Sequence, residues 1–551
     1  MTRIVAFIFI IALFATGVVM LEMFPPTIFV SDGFVGADGL RVTFLQTETF
    51  FTDDFTVELR PSRADANIFF TTDGSAPTPQ SLRYEEPIRF SVGDEVSLVT
   101  VRAIAVADGV VSAPATRTFF HGPGVDERFN TLVFSLSTAP RNLYDHYEGI
   151  FVEGAIREAY LLENPNAEIS PLTPANFNQR GRAFERPIYV EIFYPTGVRA
   201  LNMAAGVRVT GAYYPRGESA QSLRLISRRD YTPHAANFRY QLFPGDISLD
   251  GRERAILSYN SLILRNGGFD RNYGVLRHEL ASVLAHRAGF DAVTPVRPAA
   301  LFINGQYYGY TWLQVRIDEH YLQELFVAPT REFDVVGRGE FELRDATYQQ
   351  ELALAHKNQF ALRDLTNNEE FALLEGILDV ESMLRHYAFQ IWLGNDDWPQ
   401  DNLYRWRYTG IIFEGMPPEL DGRWRYAMFG MCQTFGHFDG DYTRDTFHRI
   451  MDTNNEYGAL LRAVLARPDM AARFAEIFEE LMEAALNYET VREVLENLYG
   501  EISTEVYHTI RAGLLGDSVT QETVAAHHAS ILAFAQNRHI YIMESLENLI
   551  G

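Results

Sequence analysis

The stretch WLGNDDWPQDNLYRW sets Asp397 and Asn402 five positions apart, a D-x-x-x-x-N spacing that suits phosphoryl transfer. That reaction needs a carboxylate beside the attacking hydroxyl, carboxylate or amide ligands for Mg²⁺, and cations on the phosphates. Asp397 fits the first role and Asn402 the second. The spacing alone is weak evidence, because Asp and Asn recur at that interval by chance in a chain this long. Farther along, RWRYAMFGMCQTFG stands where more metal ligands are expected, and it contains no carboxylate. GHFDGDYTRD follows, so Asp439 and Asp441 read either as a displaced D-x-D metal pair beside Asp445 or as an acidic surface turn around Gly440. His437, His448, His527 and His528 lack Cys or carboxylate partners at zinc-ligand spacing and read as ordinary core or surface histidines.

Other chemistries lack their motifs. The only lysine is Lys357, in LAHKNQF, so no G-x-x-x-x-G-K-[ST] phosphate loop exists and Lys357 reads as a solvated helix residue. Neither G-x-S-x-G nor H-E-x-x-H occurs.

The elements that must carry these residues are legible in outline. DVESMLRHYAFQIWLGN predicts a helix: Asp379 caps it, Glu381 favours the positive end of its dipole, Met383, Leu384, Tyr387 and Ile391 share a face, and Gly394 stops it. Asp396, Asp397 and Asn402 then fall in the loop just beyond a helix C-terminus. From 41 to 120, short runs such as RVTFL, FTVELRP and VTVRAIAV between turn signals predict a small all-β sandwich of seven or so strands. HGPGVDERFN has the composition of a linker. A β-rich region then runs to about 265, followed by predominantly helical sequence with amphipathic helices after Tyr457, one of them opening at Pro468. Trp392, Trp398, Trp406 and Trp424 read as core between the two parts. The fold class is α+β.

With 551 residues, two domains and a short appendage are expected, and 47% hydrophobic content excludes general disorder. A net charge of -25 argues against nucleic acid or an anionic membrane surface as the main partner. Arg3 precedes an unbroken apolar run, Ile4 to Leu21, which as a helix would span roughly 27 Å, close to a bilayer core. Residues 1–24 therefore read as a signal peptide or an uncleaved membrane anchor, with the anchor favoured because no convincing cleavage site follows. The one cysteine, Cys432, excludes an intrachain disulfide and lipid attachment near the N-terminus. An exported protein without disulfides suits a bacterial surface.

Two resemblances carry the reading further. IFFTTDGSAPT, YEEPIRF and VRAIAVADGVVS resemble the chitobiase/hexosaminidase C-terminal module over 41–120. That likeness implies an accessory domain, either a carbohydrate-associated one or a spacer. FERPIYVEIFYPTG, AAGVRVTGAYYPRGESAQSLRL, LRNGGFDRNYGVLRHELASVLAHRAGF, ALFINGQYYGYTWLQVRID, GNDDWPQDNLYRW and RWRYAMFGMCQTFG occur in this order, and the series resembles the spore coat protein H (CotH) kinase family over about 130–548. The resemblance implies an atypical two-lobed kinase-like domain with a helical C-terminal part, ATP with Mg²⁺ or Mn²⁺ as cofactors, and Ser/Thr transfer onto a surface or spore-coat protein.

Carried over residue by residue, Asp397 and Asn402 match the catalytic-loop Asp and Asn, and Arg277 matches an arginine expected near the cofactor. Gln221 stands in place of the lysine, Val315 in place of an acidic residue, and Gly430 and Cys432 in place of two metal-binding aspartates. Mg²⁺ demands oxygen ligands that glycine and a thiol do not supply. The expectation is a pseudokinase that binds a protein partner, with ATP, metal or no cofactor at all. The alternatives are an active kinase, with Asp397 as base, Asn402, Asp439 or Asp441 on the metal and Arg224 or Arg265 on the phosphates, or a binder of cell-wall polysaccharide through the sandwich. If the chain is a pseudokinase, restoring aspartate at 430 and 432 is expected to restore metal-dependent nucleotide binding.

Overall fold

The computed structural model describes residues 39–211, 220–232, 237–337, 359–399, 402–437 and 439–550. The apolar run at Ile4–Leu21 and Lys357 lie outside the described residues. Among the described residues, no helix is long and apolar enough to cross a membrane. The architecture is mixed, with sheet in the N-terminal half and helix in the C-terminal half.

The first part is all β, with ten short strands between Val42 and His121. Its main sheet is ordered Phe50–Phe51, Ala115–His121, Ser97–Ala107, Asn67–Thr71, Leu82–Arg83, and two small antiparallel pairs close over one face. Alternation in the short strands, as in Val42–Phe44 with Val42 and Phe44 inside and Thr43 outside, puts Val57, Ile68, Val101 and Phe119 in a common core. Ser97–Ala107 breaks that alternation because both of its faces are covered. One face packs on the module's own core. On the other, Leu98 and Phe120 join Phe129, Val133, Phe193 and Phe302 of the next part in a separate cluster.

That next part is a closed seven-stranded barrel: Leu132–Ser137, Arg186–Phe193, Arg199–Val209, Leu223–Ile226, Ser261–Arg265, Gln306–Gln314 and Val296–Ile303, which returns parallel to the first strand. Closure leaves no open edge, and the interior is filled by Val190, Ala205, Leu225, Leu262 and Leu313. The sandwich is seated on this barrel. Its Asp73-Gly74 turn enters the barrel surface at Thr138 and Asn304, and a Cβ on Gly74, whose φ is +86°, would overlap the Asn304 side chain. Arg102 donates to the Gly74 carbonyl at 2.8 Å, and Thr118 donates to the buried Glu191 carboxylate at 2.6 Å.

HGPGVDERFN, expected to be a linker, is instead a wedge. Val125 and Phe129 are buried, and Arg128 forms a buried ion pair with Glu505 on the helix Tyr488–Arg511, 2.5 Å apart. Tyr307 of the barrel donates to the same carboxylate at 2.7 Å. Local composition concealed this role because the partner lies 377 positions away.

The C-terminal part packs Pro468–Ala484 and Gln521–Ile550 on the helix Val380–Leu393, while Tyr488–Arg511 lies against Gln521–Ile550, Arg277–Arg287 and the barrel strands Val296–Ile303 and Gln306–Gln314. Eleven of the fourteen residues of Val380–Leu393 are buried, so this helix is the centre of the helical core rather than a surface element. Trp392, Trp398 and Trp424 belong to that core, and Trp406 to the barrel core beside Phe326.

Candidate functional site

The loop that carries Asp397 is built from its helix outward. Asp379 accepts the Ser382 N–H at 2.8 Å, as its N-cap position predicts, and Gly394 closes the helix by donating to the Gln390 and Ile391 carbonyls. Asn395 then bonds to the Gln390 side chain at 2.9 Å and accepts the Asp397 N–H at 3.2 Å. The next residue, Trp398, precedes a cis peptide to Pro399 and donates its indole N–H to His386 at 3.1 Å. Burial keeps the His386 imidazole neutral, with its pKa pushed down to about 3, so its Nε2 is free to accept that bond.

Two arginines hold the loop from behind. Arg449, on the short helix Thr446–Met451, donates to the carbonyls of Asn395 at 2.7 Å, Asp396 at 3.1 Å and Trp398 at 2.8 Å. Arg538, fully buried on Gln521–Ile550, donates to Ile391 at 2.7 Å, Trp392 at 2.9 Å, Tyr442 at 2.5 Å and Arg444 at 2.9 Å. Of these carbonyls, Ile391 and Trp392 lie in the last turn of Val380–Leu393, at the negative end of its dipole, where a cation is stabilising. Neither arginine stood out in the sequence, because a basic residue on an amphipathic helix carries no local sign of a distant carbonyl.

In front of the loop the geometry changes. Asn402, at φ +60°, donates its amide to Asp397 Oδ2 at 2.8 Å. The Asn402 carboxamide lies directly against Gly430, whose φ is +65°, and a Cβ at 430 would overlap it. Cys432 is buried beyond. Its thiol pKa is raised, first by burial and also by the Asp397 charge, with Arg265 opposing. It is therefore a neutral thiol near pH 7, neither a nucleophile nor a ligand for a hard cation.

The barrel contributes a buried pair. Arg265 on the strand Ser261–Arg265 meets Glu279 on the helix Arg277–Arg287 at 2.8 Å, and Gln314 donates to the same carboxylate at 3.1 Å. Burial, only partly offset by Arg265, pushes the Glu279 carboxyl up to about 7. The neighbouring His278 accepts the Met431 N–H at 3.1 Å and so ties this helix to the glycine-cysteine segment. Glu279 and His278 were missed in LRHEL because Arg277 alone drew attention there. The alternation of strand and helix charges was the signal available.

The remaining candidates are engaged elsewhere in the fold. Arg277 is fully buried and pairs with Asp270 at 2.5 Å, while Asp270 also accepts the backbone N–H groups of Gly274, Leu276 and Arg277. It organises the segment that precedes its own helix. Gln221 is buried and exchanges hydrogen bonds with Tyr308, at 2.9 and 3.1 Å. Val315 is part of the barrel core. Arg224 donates to Ser261 Oγ at 3.2 Å and lies 4.0 Å from Asp318.

Asp439 and Asp441 form an exposed turn in which Asp439 accepts the Asp441 N–H and Asp441 accepts from both Thr443 donors. The Thr443 bonds lower the Asp441 pKa. Arg444 links Asp439 at 3.3 Å to Asp396 at 3.5 Å, and Asp445 caps Thr446–Met451 while accepting the Tyr541 hydroxyl at 2.6 Å. His437 packs on Tyr273, and His528 bonds to the Gly274 carbonyl at 2.9 Å. Among the described residues, no group of three or more His, Cys, Asp or Glu side chains is placed to hold a metal ion. One carboxylate and one amide oxygen, from Asp397 and Asn402, are poor company for Mg²⁺, which prefers an octahedral oxygen shell.

A β-rich body is seated against a helical one, and the Asp–Asn loop follows the central helix of the second. The profile described as chitobiase/beta-hexosaminidase C-terminal domain matches residues 46–118. The profile described as CotH kinase protein matches 207–542, more than half of the chain, and the protein belongs to that family. A comparison with curated proteins gave no match.

Proposed function

We propose that this CotH-family chain is a pseudokinase, a kinase-like body that binds a partner protein in the assembly of a bacterial surface or spore envelope, without efficient phosphate transfer. A fold hosts chemistry only where its site supplies the groups. The observation that carries the reading is the Asn402 carboxamide packed on Gly430, which fills the position where an aspartate side chain would begin. Export, with or without an anchor at Ile4–Leu21, belongs to the same reading and rests on that apolar run.

A second reading, an active atypical Ser/Thr kinase, is favoured by the Arg265–Glu279 pair, which has the strand-to-helix form of the Lys–Glu pair in active kinases. Thermal unfolding of the full chain separates the two, since a ligand that binds only the native state raises the midpoint. The pseudokinase reading expects ATP with Mg²⁺ or Mn²⁺ to shift the midpoint no more than ATP alone. A metal-dependent rise together with phosphate transfer that disappears in Asp397→Ala overturns it. Polysaccharide binding by the sandwich would have to use a surface other than the Asp73-Gly74 turn, which the barrel covers. Loss of chitin or peptidoglycan retention on truncating other sandwich loops is the corresponding check.

A further inference from the structure

Between the barrel strands Leu132–Ser137 and Arg186–Phe193, the chain builds a small excursion around the helix Gly154–Glu163. Gly154, Arg157, Glu158, Leu161 and Leu162 recur at i, i+3, i+4, i+7 and i+8, so they share one helix face. That face and His146 line a shallow pocket of about 440 Å³. None of these residues belongs to the Asp397 loop.

The two ends of the pocket differ. At one end are Leu161 and Leu162, and Leu162 is 78% exposed. At the other end are Glu153 and Glu158, whose side chains stay 57% and 63% exposed although each makes one ion pair, to Arg157 and His146 respectively. Arg157 is itself buried, offsets Glu153 at 2.5 Å and spends its other donors on the Pro174 and Thr173 carbonyls, so one arginine is set against two rim carboxylates. Between Tyr144 and Leu172, Asp145, Glu148, Glu153, Glu158, Glu163 and Glu168 stand against this single arginine. A concave apolar patch with an acidic rim marks a contact surface for a complementary partner.

We propose that this groove docks a basic, leucine-bearing helical segment of a partner protein, seating an apolar residue on Leu161 and Leu162 and an arginine or lysine between Glu153 and Glu158. The charge argues for this occupant over two others. A second copy of this chain would bring a net charge of -25 against the acidic rim, and an anionic bilayer would meet the same repulsion. The proposal rests on the partner-binding part of the pseudokinase reading and deepens it by naming the chemistry of the partner.

The test uses the full chain without nucleotide and a fluorescein-labelled helical peptide with leucine and arginine four positions apart. Controls replace every arginine by glutamate or every leucine by serine. Saturable anisotropy is expected for the first peptide only. Leu162→Glu is expected to weaken it about tenfold or more, as is Glu158→Gln, whose ion pair with His146 is exposed, with no change in thermal midpoint. No saturable binding, equal binding of the glutamate peptide, or an unchanged affinity in Leu162→Glu would overturn the proposal. Capture on neutral phosphatidylcholine vesicles that depends on Leu162, without peptide binding, would assign the groove to a bilayer and overturn it as well. Since nucleotide and metal are absent, failure here leaves the metal-dependent unfolding test of the Asp397 cleft standing.

Discussion

The two sides of the Asp397 loop differ in what they retain. Behind it, Arg449 and Arg538 donate to seven backbone carbonyls, and the cap residues Asp379 and Gly394 bound the supporting helix. In front stand a glycine and a neutral thiol, and Asn402 lies on the glycine. The scaffold and the ligand set answer to different demands: carbonyls buried at a helix end must be satisfied in any folded chain, whereas metal ligands matter only when a metal is used. A chain that stopped using metal would lose the second and keep the first.

The largest expected effect comes from breaking the back. Arg538→Met removes four hydrogen bonds and leaves their carbonyls buried, so urea unfolding should show a loss of roughly 3–5 kcal/mol. A loss below about 1 kcal/mol would mean the clamp is ornamental. Next comes the wedge: Arg128→Ala strands the buried Glu505 and should cost about 3 kcal/mol.

On the front, the structure revises the expected rescue. Gly430→Asp with Cys432→Asp must push Asn402 aside and place a non-glycine residue at φ +65°, so it should destabilise the protein by roughly 1–3 kcal/mol and give no Mg²⁺-dependent ATP shift in thermal unfolding. A shift gained in that variant would show the front to be one substitution layer away from an active cleft. The Glu279 pair sharpens the comparison through pH. Its carboxyl is raised in the folded state, to about 7 from an ordinary value near 4.5. The contribution is therefore fully present below the unfolded value and is lost as pH rises through about 7. Glu279→Gln should flatten the fall in thermal midpoint between roughly pH 5 and 8 relative to the parent. The smallest effect is reserved for the acidic turn: Asp439→Asn with Asp441→Asn should change stability by less than about 0.5 kcal/mol and leave any metal response untouched.

Much of this was readable without coordinates. Asp379 and Gly394 announced a helix because caps act over four residues, and the absence of charge at Gln221, Gly430 and Cys432 was visible once the ordered family blocks had been found. The sandwich was legible for the same reason, since turn chemistry at Asp73-Gly74 is local. Less accessible were the ten strands in place of about seven, because two-residue strands such as Val110–Val111 leave almost no periodic trace. HGPGVDERFN misled because composition reports solvation preference and not the ring of Tyr307 or the carboxylate of Glu505 waiting across the fold.

The residue types alone determined that positions 430 and 432 carry no side-chain oxygen, which no folding can give to glycine or cysteine. Tertiary structure decided what surrounds them. Whether Asn402 would reach for a metal or lie on Gly430, whether Arg265 would stand free or pair with Glu279, and whether the sandwich would swing or lock onto the barrel all depend on contacts between segments far apart in the chain. Such contacts are set by packing and burial, which no short stretch of sequence encodes.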